Sequence, residues 1–518
     1  MKRRSFIKTG ALLSTPLILG GVPVAAIQEN LFSSFLSQDT DKILVLIQLN
    51  GGNDGLNCVI PKDQYSNLTV VRPQVIIPEN NILDVTDSVG FHPSMASLKE
   101  LFDEGKLSVV QSVGYPNQNR SHFRSTDIWH TASDADQFLD SGWLGRYLDK
   151  FNADYPANYP NEECPDPFAL TIGSSVSETC QGTAGNFSLA LVDPNNLSQL
   201  STPINNELSE GCYSDKLDFL AKTIEQTNAY GEVIQNANDL GMNASTLYNE
   251  EDGLANKLKL VAKLIKGGLR TKIYVVSLGG FDTHADQVVE NETTTGVHAA
   301  LLQELSDAIY AFQDDLKAMD LEDRVAGMTY SEFGRRIRSN FSNGTDHGTA
   351  APLIVFGSCV LPGIIGDNPE ISVDVDNQEG LPMQYDFRSV YGSILTDWFK
   401  VDEDVVSEIL LGDFQKINMI QDCAGPVATE DVQTNSLELN IYPNPADQKV
   451  NIDFRSKGES IKISIFDALG QEIRVLTNRR FTAGLHSLVF ETHDLPSGVY
   501  FVRIQTDSGQ KTKRVVKA

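Results

Sequence analysis

The segment Lys272-Ile-Tyr-Val-Val-Ser-Leu-Gly-Gly-Phe-Asp-Thr-His284 carries the strongest information about how this chain folds. A run of β-branched and aromatic residues ends in a Gly-Gly turn, which is typical of a buried strand followed by a loop. Asp282 and His284 then stand two residues apart, so in an extended backbone their side chains face the same way and can share a cation. The segment predicts half of a metal site; the alternative is an Asx-turn beside an unrelated histidine.

Similar apolar runs occur along the chain and alternate with helical patterns. The apolar runs lie at residues 43–47, 107–110, 325–329 and 352–356, and amphipathic segments lie at residues 254–265 and 298–319. This alternation indicates an α/β fold with a mainly parallel sheet. Because sites in such sheets form beyond the carboxyl ends of the strands, the polar residues that follow each run are the functional candidates.

The first run ends in Asn50-Gly-Gly-Asn-Asp-Gly-Leu-Asn57. The glycines permit a tight turn from which Asp54 and the asparagine side chains project together. Asp54 is therefore a candidate metal ligand. Asn and Asp are also common turn residues, so an ordinary turn is the alternative.

The second run leads into Gly114-Tyr-Pro-Asn-Gln-Asn-Arg-Ser-His-Phe123 and then into a helical pattern. Ser121 is either the N-cap of that helix or a nucleophile at its N-terminus. In the second case, backbone N–H groups and Arg120 favour an anionic ester beside the hydroxyl. His122 is a candidate proton donor or an outer group of the site.

The run at residues 325–329 precedes Ser331-Glu-Phe-Gly-Arg-Arg336 and Asn343-Gly-Thr-Asp-His-Gly-Thr-Ala350. Glu332, Asp346 and His347 add oxygen and nitrogen ligands suited to zinc, manganese, calcium or magnesium, with one or two ions. Arg335 and Arg336 are candidate anion clamps, and a solvated or structural role is an equal alternative for each.

Charge and cysteine content exclude several classes of protein. The formal net charge is −28 and the sequence pI is near 4.6, which argues against binding to nucleic acid or to an anionic membrane. The six cysteines show no CxxC spacing, so a zinc ribbon or a thioredoxin-like motif is excluded. A disulfide among Cys164, Cys180 and Cys212 is plausible outside the cytosol, although spacing leaves the pairing open.

Both ends of the chain resemble export signals. Residues 1–26 combine a basic start containing Arg3-Arg4 with a short apolar run, and they resemble a cleaved twin-arginine signal peptide; an uncleaved anchor is the alternative. The apolar run is too short to span a membrane, so the mature form is expected to have no transmembrane segment. A polar linker is expected at residues 425–436.

The last segment, residues 437–518, alternates short β-rich runs with turns, which predicts a small all-β sandwich. Asn440-Ile-Tyr-Pro-Asn-Pro-Ala446 and the basic end Lys511-Thr-Lys-Arg-Val-Val-Lys517 resemble the type A sorting domain of type IX secretion substrates. The alternative is an accessory sandwich that binds sugar.

The motifs quoted above for the expected large domain, residues 27–424, resemble in their order the exported bacterial family known as domain of unknown function 1501, over about residues 41–420. That family is itself similar to the alkaline phosphatase and sulfatase superfamily. The resemblance implies a doubly wound sheet that holds one or two divalent metals beside a nucleophile. By position it implies metal binding by Asp54, Asp282, His284 and His347, and nucleophilic attack by Ser121. Phe333 departs from the superfamily, because it stands where a second metal ligand is expected.

The sequence thus predicts an exported, metal-dependent hydrolase of phosphate or sulfate esters. It reaches the cell surface or the medium through the periplasm, by the twin-arginine and type IX machineries. The usual arylsulfatase mechanism is disfavoured, because the Cys-x-Pro-x-Arg or Ser-x-Pro-x-Arg motif for formylglycine is missing. The alternative is a noncatalytic surface protein of the same fold that binds a glycan or a partner protein.

Overall fold

The computed structural model of the chain describes residues 18–19, 22–23, 41–196, 212–421 and 423, and most of residues 439–517 (439–442, 449–466, 472–492, 495–496, 498–506 and 509–517). The chain forms two compact units, Met1–Cys423 and Ala424–Ala518. Apart from two paired dipeptide strands at Ile18–Leu19 and Val22–Pro23, the expected signal peptide lies outside the described residues, and so does the expected linker.

The larger unit is built from strands and helices that alternate along the chain. Its strands are β1 (Ile43–Leu49), β2 (Val59–Pro61), β3 (Leu83–Asp84), β4 (Val89–Phe91), β5 (Leu107–Gly114), β6 (Ala169–Ile172), β7 (Ser188–Leu191), β8 (Ile273–Leu278), β9 (Val325–Tyr330), β10 (Arg335–Ser339), β11 (Thr345–His347), β12 (Ala351–Phe356), β13 (Gly363–Ile365) and β14 (Tyr385–Asp386). Its α-helices are α1 (Gly55–Cys58), α2 (Tyr65–Val71), α3 (Ala96–Asp103), α4 (His122–Thr131), α5 (Trp143–Phe151), α6 (Cys212–Leu240), α7 (Gly253–Lys266), α8 (Val297–Ala318), α9 (Phe387–Ser393) and α10 (Glu403–Leu410).

One large sheet organises this unit. Its strands follow the order β13-β5-β12-β9-β1-β8-β6-β7, with β14 also paired to β5. The central strands β9, β1 and β8 are parallel neighbours, whereas β12 runs antiparallel to β9 and β5. The carboxyl ends of three adjacent strands, together with the start of β12, therefore meet at one edge of the sheet.

Both faces of the sheet are covered by helices. Along β1, Ile43, Val45 and Ile47 pack on the face that carries α3, α7 and α8. Leu44 and Leu46 alternate with them and pack on the face that carries α4, α5, α9 and α10. Because side chains alternate across a strand, this pattern buries β1 on both sides. The predicted α/β fold with a doubly wound, mainly parallel sheet is confirmed.

The smaller unit consists entirely of β-strands where it is described. Its strands are β15 (Leu439–Tyr442), β16 (Lys449–Lys457), β17 (Ser460–Phe466), β18 (Glu472–Arg480), β19 (Ala483–Glu491), β20 (Gly498–Thr506) and β21 (Gly509–Lys517). They form antiparallel sheets of three and four strands. Ile452 and Phe454 of the first sheet and Ile463 and Ile504 of the second belong to one apolar core, as expected for the small sandwich.

No described helix is long and apolar enough to cross a membrane.

Among the described residues, Cys359 and Cys423 form a disulfide, and neither belongs to the trio considered from the sequence. Cys180 of that trio is a buried thiol. The disulfide attaches the last described residue of the larger unit to the segment that follows β12.

Replacement of Cys423 by serine is expected to destabilise the larger unit by about 2–4 kcal/mol, because the disulfide closes a loop with a sequence separation of 64 residues. Denaturant midpoints of oxidised wild type and of Cys423→Ser measure the loss. Reduced wild type is the control, and its denaturant midpoint should equal that of the variant. If a reductant lowered the midpoints of wild type and variant by the same amount, the disulfide assignment would be contradicted.

Candidate metal centre

The site begins where the ends of β1 and β8 touch. Gly51 has φ +121°, and a Cβ on it would lie 2.2 Å from the backbone nitrogen of Asp282. Gly52 has φ +83°, and a Cβ there would lie 2.4 Å from the Phe333 ring. Only glycine allows both the left-handed conformation and this close approach. The Gly-Gly turn thus lets the loops after β1, β8 and β9 come into contact.

The guanidinium of Arg335 connects these loops by hydrogen bonds. It is 2 % exposed, and its guanidinium donates to the carbonyl oxygens of four residues: Gly51, Gly52 (2.7 Å), Phe281 (2.8 Å) and Thr345 (2.8 Å). It also donates to Asp282 Oδ1 at 2.8 Å. With its donors used inside the protein, Arg335 is a structural cation, and its neighbour Arg336 is the one that pairs with Asp346, at 3.0 Å.

Three histidines approach this point, and each is held by its Nδ1 atom. Nδ1 of His122 lies 2.8 Å from Glu332 Oε1, and Nδ1 of His284 lies 2.8 Å from Asp346 Oδ1. Nδ1 of His347 lies 2.9 Å from the carbonyl oxygen of Arg120. Carboxylate and carbonyl oxygens only accept, so in each ring Nδ1 carries the proton and donates it. In the neutral tautomer, each Nε2 atom then presents a lone pair.

These Nε2 atoms converge on Asp282. Nε2 of His284 and of His347 each lie 3.1 Å from Asp282 Oδ1, and 2.9 Å from one another. Nε2 of His122 lies 3.5 Å from Asp282 Oδ2. Two ligands about 2.1 Å from a tetrahedral zinc ion lie roughly 3.4 Å apart, so these spacings are of the right size. A cation at this point satisfies lone pairs that otherwise face one another.

Asp282, His122, His284 and His347 are called the group below. Its electrostatics favour a charged Asp282 carboxylate. Burial acts to raise the pKa of Asp282, but the hydrogen bond and the charge of Arg335 and the contact with His347 outweigh it and lower that pKa to about 2. Burial lowers the pKa of His347, which favours the neutral ring that a metal requires. For Asp346, burial acts to raise the pKa, and the hydrogen bonds from His284 and Asn340 bring it below its usual value.

Glu332 and Asp346, predicted as ligands, occupy different places. Each accepts a hydrogen bond from the Nδ1 atom of a histidine, as the outer carboxylates of metal sites do. Glu332 is 3 % exposed and also accepts from the Gly51 amide at 2.9 Å, which fixes its orientation. His122, predicted as a proton donor or outer group, instead points its Nε2 at Asp282.

Asp54 is not brought into this group, contrary to the prediction. It is 1 % exposed, forms an ion pair with the buried Arg72, and accepts from Gln287 Nε2 at 2.6 Å. Close by, His298 Nε2 contacts Asn53 Oδ1 at 2.9 Å, and burial lowers the pKa of His298 to about 4. The spacing of the first loop could not show that an arginine 18 residues further on compensates the Asp54 charge.

Ser121 is exposed and precedes α4, and its hydroxyl makes no capping bond to the helix. Its neighbours on both sides contact the group, Arg120 through its carbonyl oxygen and His122 through its ring. The Arg120 side chain donates to the Gln378 carbonyl at 2.5 Å. Burial lowers the pKa of Arg120, and the nearby charge of Arg336 adds to that effect.

Phe333, which interrupts the expected ligand pattern, packs against two of the histidines. Its ring centroid lies 4.9 Å from that of His122 and 4.6 Å from that of His347. An open cleft of about 790 Å³ adjoins the group and is lined in part by His122, Asp282 and Glu332. The group is thus accessible to a ligand from one side.

A family model described as protein of unknown function (DUF1501) matches residues 41–410, which is well over half of the chain. The chain belongs to this family. A model described as secretion system C-terminal sorting domain matches residues 440–518. Both resemblances inferred from the sequence motifs are confirmed.

Solved structures similar to this DUF1501 protein include one in the alkaline phosphatase superfamily from Vibrio parahaemolyticus, with 12 % identity, coverage of 82 % of this chain and 78 % of that chain, and a TM-score of 0.31. The PsFucS1 sulfatase from Pseudoalteromonas sp. has 10 % identity, coverage of 90 % and 86 %, and a TM-score of 0.32. A DUF3244 family protein with an immunoglobulin-like β-sandwich from Bacteroides vulgatus covers 16 % of this chain and 96 % of its own, with 15 % identity and a TM-score of 0.13. A comparison with curated proteins finds no match.

The contrast between Asp54 and His284 is testable. Asp54→Asn is expected to destabilise the protein by about 3–5 kcal/mol, because it leaves Arg72 buried without its counter-charge, while bound metal is retained. His284→Ala, on a half-exposed residue, is expected to abolish metal binding with little loss of stability. Denaturant midpoints and elemental analysis of the purified variants measure both. Metal loss in Asp54→Asn at unchanged stability would make Asp54 a ligand after all.

Proposed function

We propose that this protein is an exported, metal-dependent hydrolase of phosphate or sulfate esters. The observation that supports it most is the arrangement of His122, His284 and His347, each held through Nδ1 so that Nε2 is directed towards Asp282. Such outer hydrogen bonds orient metal ligands in general. A cluster held only for stability does not require three histidines with one common orientation.

The proposed ligand set around one divalent ion is Asp282, His122 and His347, whose ligand atoms all lie within 4.8 Å of one another. His284 is added to it because its Nε2 lies 3.1 Å from Asp282 Oδ1 and 2.9 Å from His347 Nε2. Three imidazoles and one carboxylate suit zinc or manganese better than calcium or magnesium, which prefer oxygen ligands. When bound, the ion supplies Lewis-acid chemistry that neutralises negative charge on the ester oxygens. Phe333 occupies the space of a further ligand, so a stoichiometry of one is proposed for the described site.

Ser121 is the proposed attacking group. Its hydroxyl is not used as a helix cap, and it lies between the two residues that contact the group through His122 and the Arg120 carbonyl. The Ser121 Oγ bond to phosphorus or sulfur forms as the bond to the alcohol oxygen breaks, and the hydroxyl proton ends on the released alcohol. Water then cleaves the seryl ester, which releases the acid and restores the Ser121 hydroxyl. Arg120 adjoins the site through its carbonyl bond to His347 and Arg336 through its ion pair with Asp346, and both are proposed to offset the charge of the ester.

Ser121→Ala is expected to abolish hydrolysis of p-nitrophenyl phosphate or p-nitrophenyl sulfate while the metal content stays at the wild-type level. The stability change should stay within about 1 kcal/mol, since the side chain makes no capping bond. Steady-state kinetics and elemental analysis provide the measurements. Full activity in this variant would mean that water attacks directly, and a metal-loaded wild type inactive on both esters would favour the noncatalytic binding protein.

The smaller unit is proposed to direct export. Its match to a secretion system sorting domain supports delivery to the cell surface or the medium by the type IX machinery, after a twin-arginine step through the inner membrane. The residues of the proposed metal centre lie in the other unit, Met1–Cys423. Sorting and ligand binding are therefore proposed to be separable.

Deletion of residues 437–518 is expected to leave the larger unit folded, with its metal bound, but retained in the periplasm. Cell fractionation locates the truncated chain, and its melting temperature and metal content are compared with those of the full chain. A truncated protein that still reaches the surface at the normal level would refute the sorting role.

A further inference from the structure

The cleft beside the metal centre follows helix α4. His122, Thr126 and His130 line it at positions i, i+4 and i+8, so they form a row along one helix face. At a rise of 1.5 Å per residue this row is about 12 Å long. The cleft therefore extends well beyond the reacting ester group and has room for the alcohol part of a substrate.

The charge of the cleft is negative. Away from the metal centre, the charged residues among the described ones that line it are the acids Asp127 and Glu178, and no lysine or arginine is included. Arg124 pairs with Asp127, whereas the Glu178 side chain is mostly exposed and its nearest ionic neighbour is His130, with Nδ1 at 3.8 Å. A carboxylate, phosphate or sulfate on the alcohol part would meet repulsion here.

The remaining lining is polar but uncharged, apart from a few apolar groups. Asn50 and Ser277 offer an amide and a hydroxyl group to a ligand, whereas the hydroxyls of Thr171 and Ser177 already bond within the protein. Phe123, next to His122, is 91 % exposed and also lines the cleft. An exposed aromatic ring beside hydroxyl and amide groups suits a sugar-like ligand, which has apolar C–H faces as well as hydroxyl groups.

His130 lines the cleft next to Glu178. It is 7 % exposed, its Nε2 contacts the Tyr330 hydroxyl at 3.2 Å, and its Nδ1 has no hydrogen-bond partner among the described residues. Buried polar atoms normally have a partner; the nearest one to this nitrogen is the Glu178 carboxylate, at 3.8 Å, and the interaction with His130 lowers the pKa of Glu178.

We propose that the cleft is the binding site for the alcohol part of the ester and that it selects an uncharged, hydroxyl-rich alcohol, such as a neutral saccharide, over an anionic one. The proposal rests on the proposed ester hydrolysis. The ester group lies at the metal centre, near Arg120 and Arg336, which do not line the cleft. The neutral alcohol extends along α4 towards His130 and Glu178.

Sorbitol 6-phosphate and 6-phosphogluconate test this selection, because they differ only in a terminal CH₂OH or carboxylate. The full chain is expected to show a kcat/KM at least tenfold higher for sorbitol 6-phosphate. Glu178→Gln should reduce the ratio of the two kcat/KM values severalfold, mainly because KM for 6-phosphogluconate falls. Glu250→Gln is the matched control, since Glu250 is also an exposed glutamate but does not line the cleft, and it should leave the ratio unchanged.

The possible failures are distinguishable. Equal kcat/KM values for the two esters in a protein that hydrolyses p-nitrophenyl phosphate would overturn the cleft assignment and keep the hydrolase. If no ester is hydrolysed, the proposed function fails. Calorimetric Kd values of the same two compounds then show whether the cleft prefers the neutral one. A tenfold preference in Kd that Glu178→Gln reduces supports it, and equal Kd values overturn it.

Discussion

The buried guanidinium of Arg335 is the interaction on which the rest of the site depends. It donates to backbone carbonyls in the loops after β1 and β8 and in β11, and to the carboxylate of Asp282. A buried charge is costly unless it is paired and fully hydrogen-bonded, so the loops must keep positions that satisfy it. The same contacts hold Asp282 ionised and facing the three histidines.

The outer hydrogen bonds carry as much information as the ligands themselves. Glu332, Asp346 and the Arg120 carbonyl each accept a hydrogen bond from the Nδ1–H of one histidine. The three Nε2 atoms are therefore directed towards Asp282. Carboxylates placed as outer partners raise the basicity of the rings without adding oxygen ligands. This division of roles is the reason that zinc or manganese is proposed for the site in preference to calcium or magnesium.

Local sequence signals located the loops of the site well and assigned roles within them less well. Asp282 and His284 follow one strand two residues apart, and their common direction is a property of the local backbone. His122 and Asp54 each depend on a distant residue, Glu332 in one case and Arg72 in the other. Nothing near Asp54 in the sequence indicates that its charge is neutralised inside the protein.

By itself, the sequence determined the alternation of strands and helices, the mainly parallel sheet, the all-β C-terminal unit and the strand ends that carry polar residues. These features follow from hydrophobic periodicity and turn residues, which act over a few residues. Only the tertiary structure decided which polar groups share a site, which are compensated in the core and which face a cleft. Ligand geometry and the compensation of buried charge are set by contacts between segments up to about 280 residues apart.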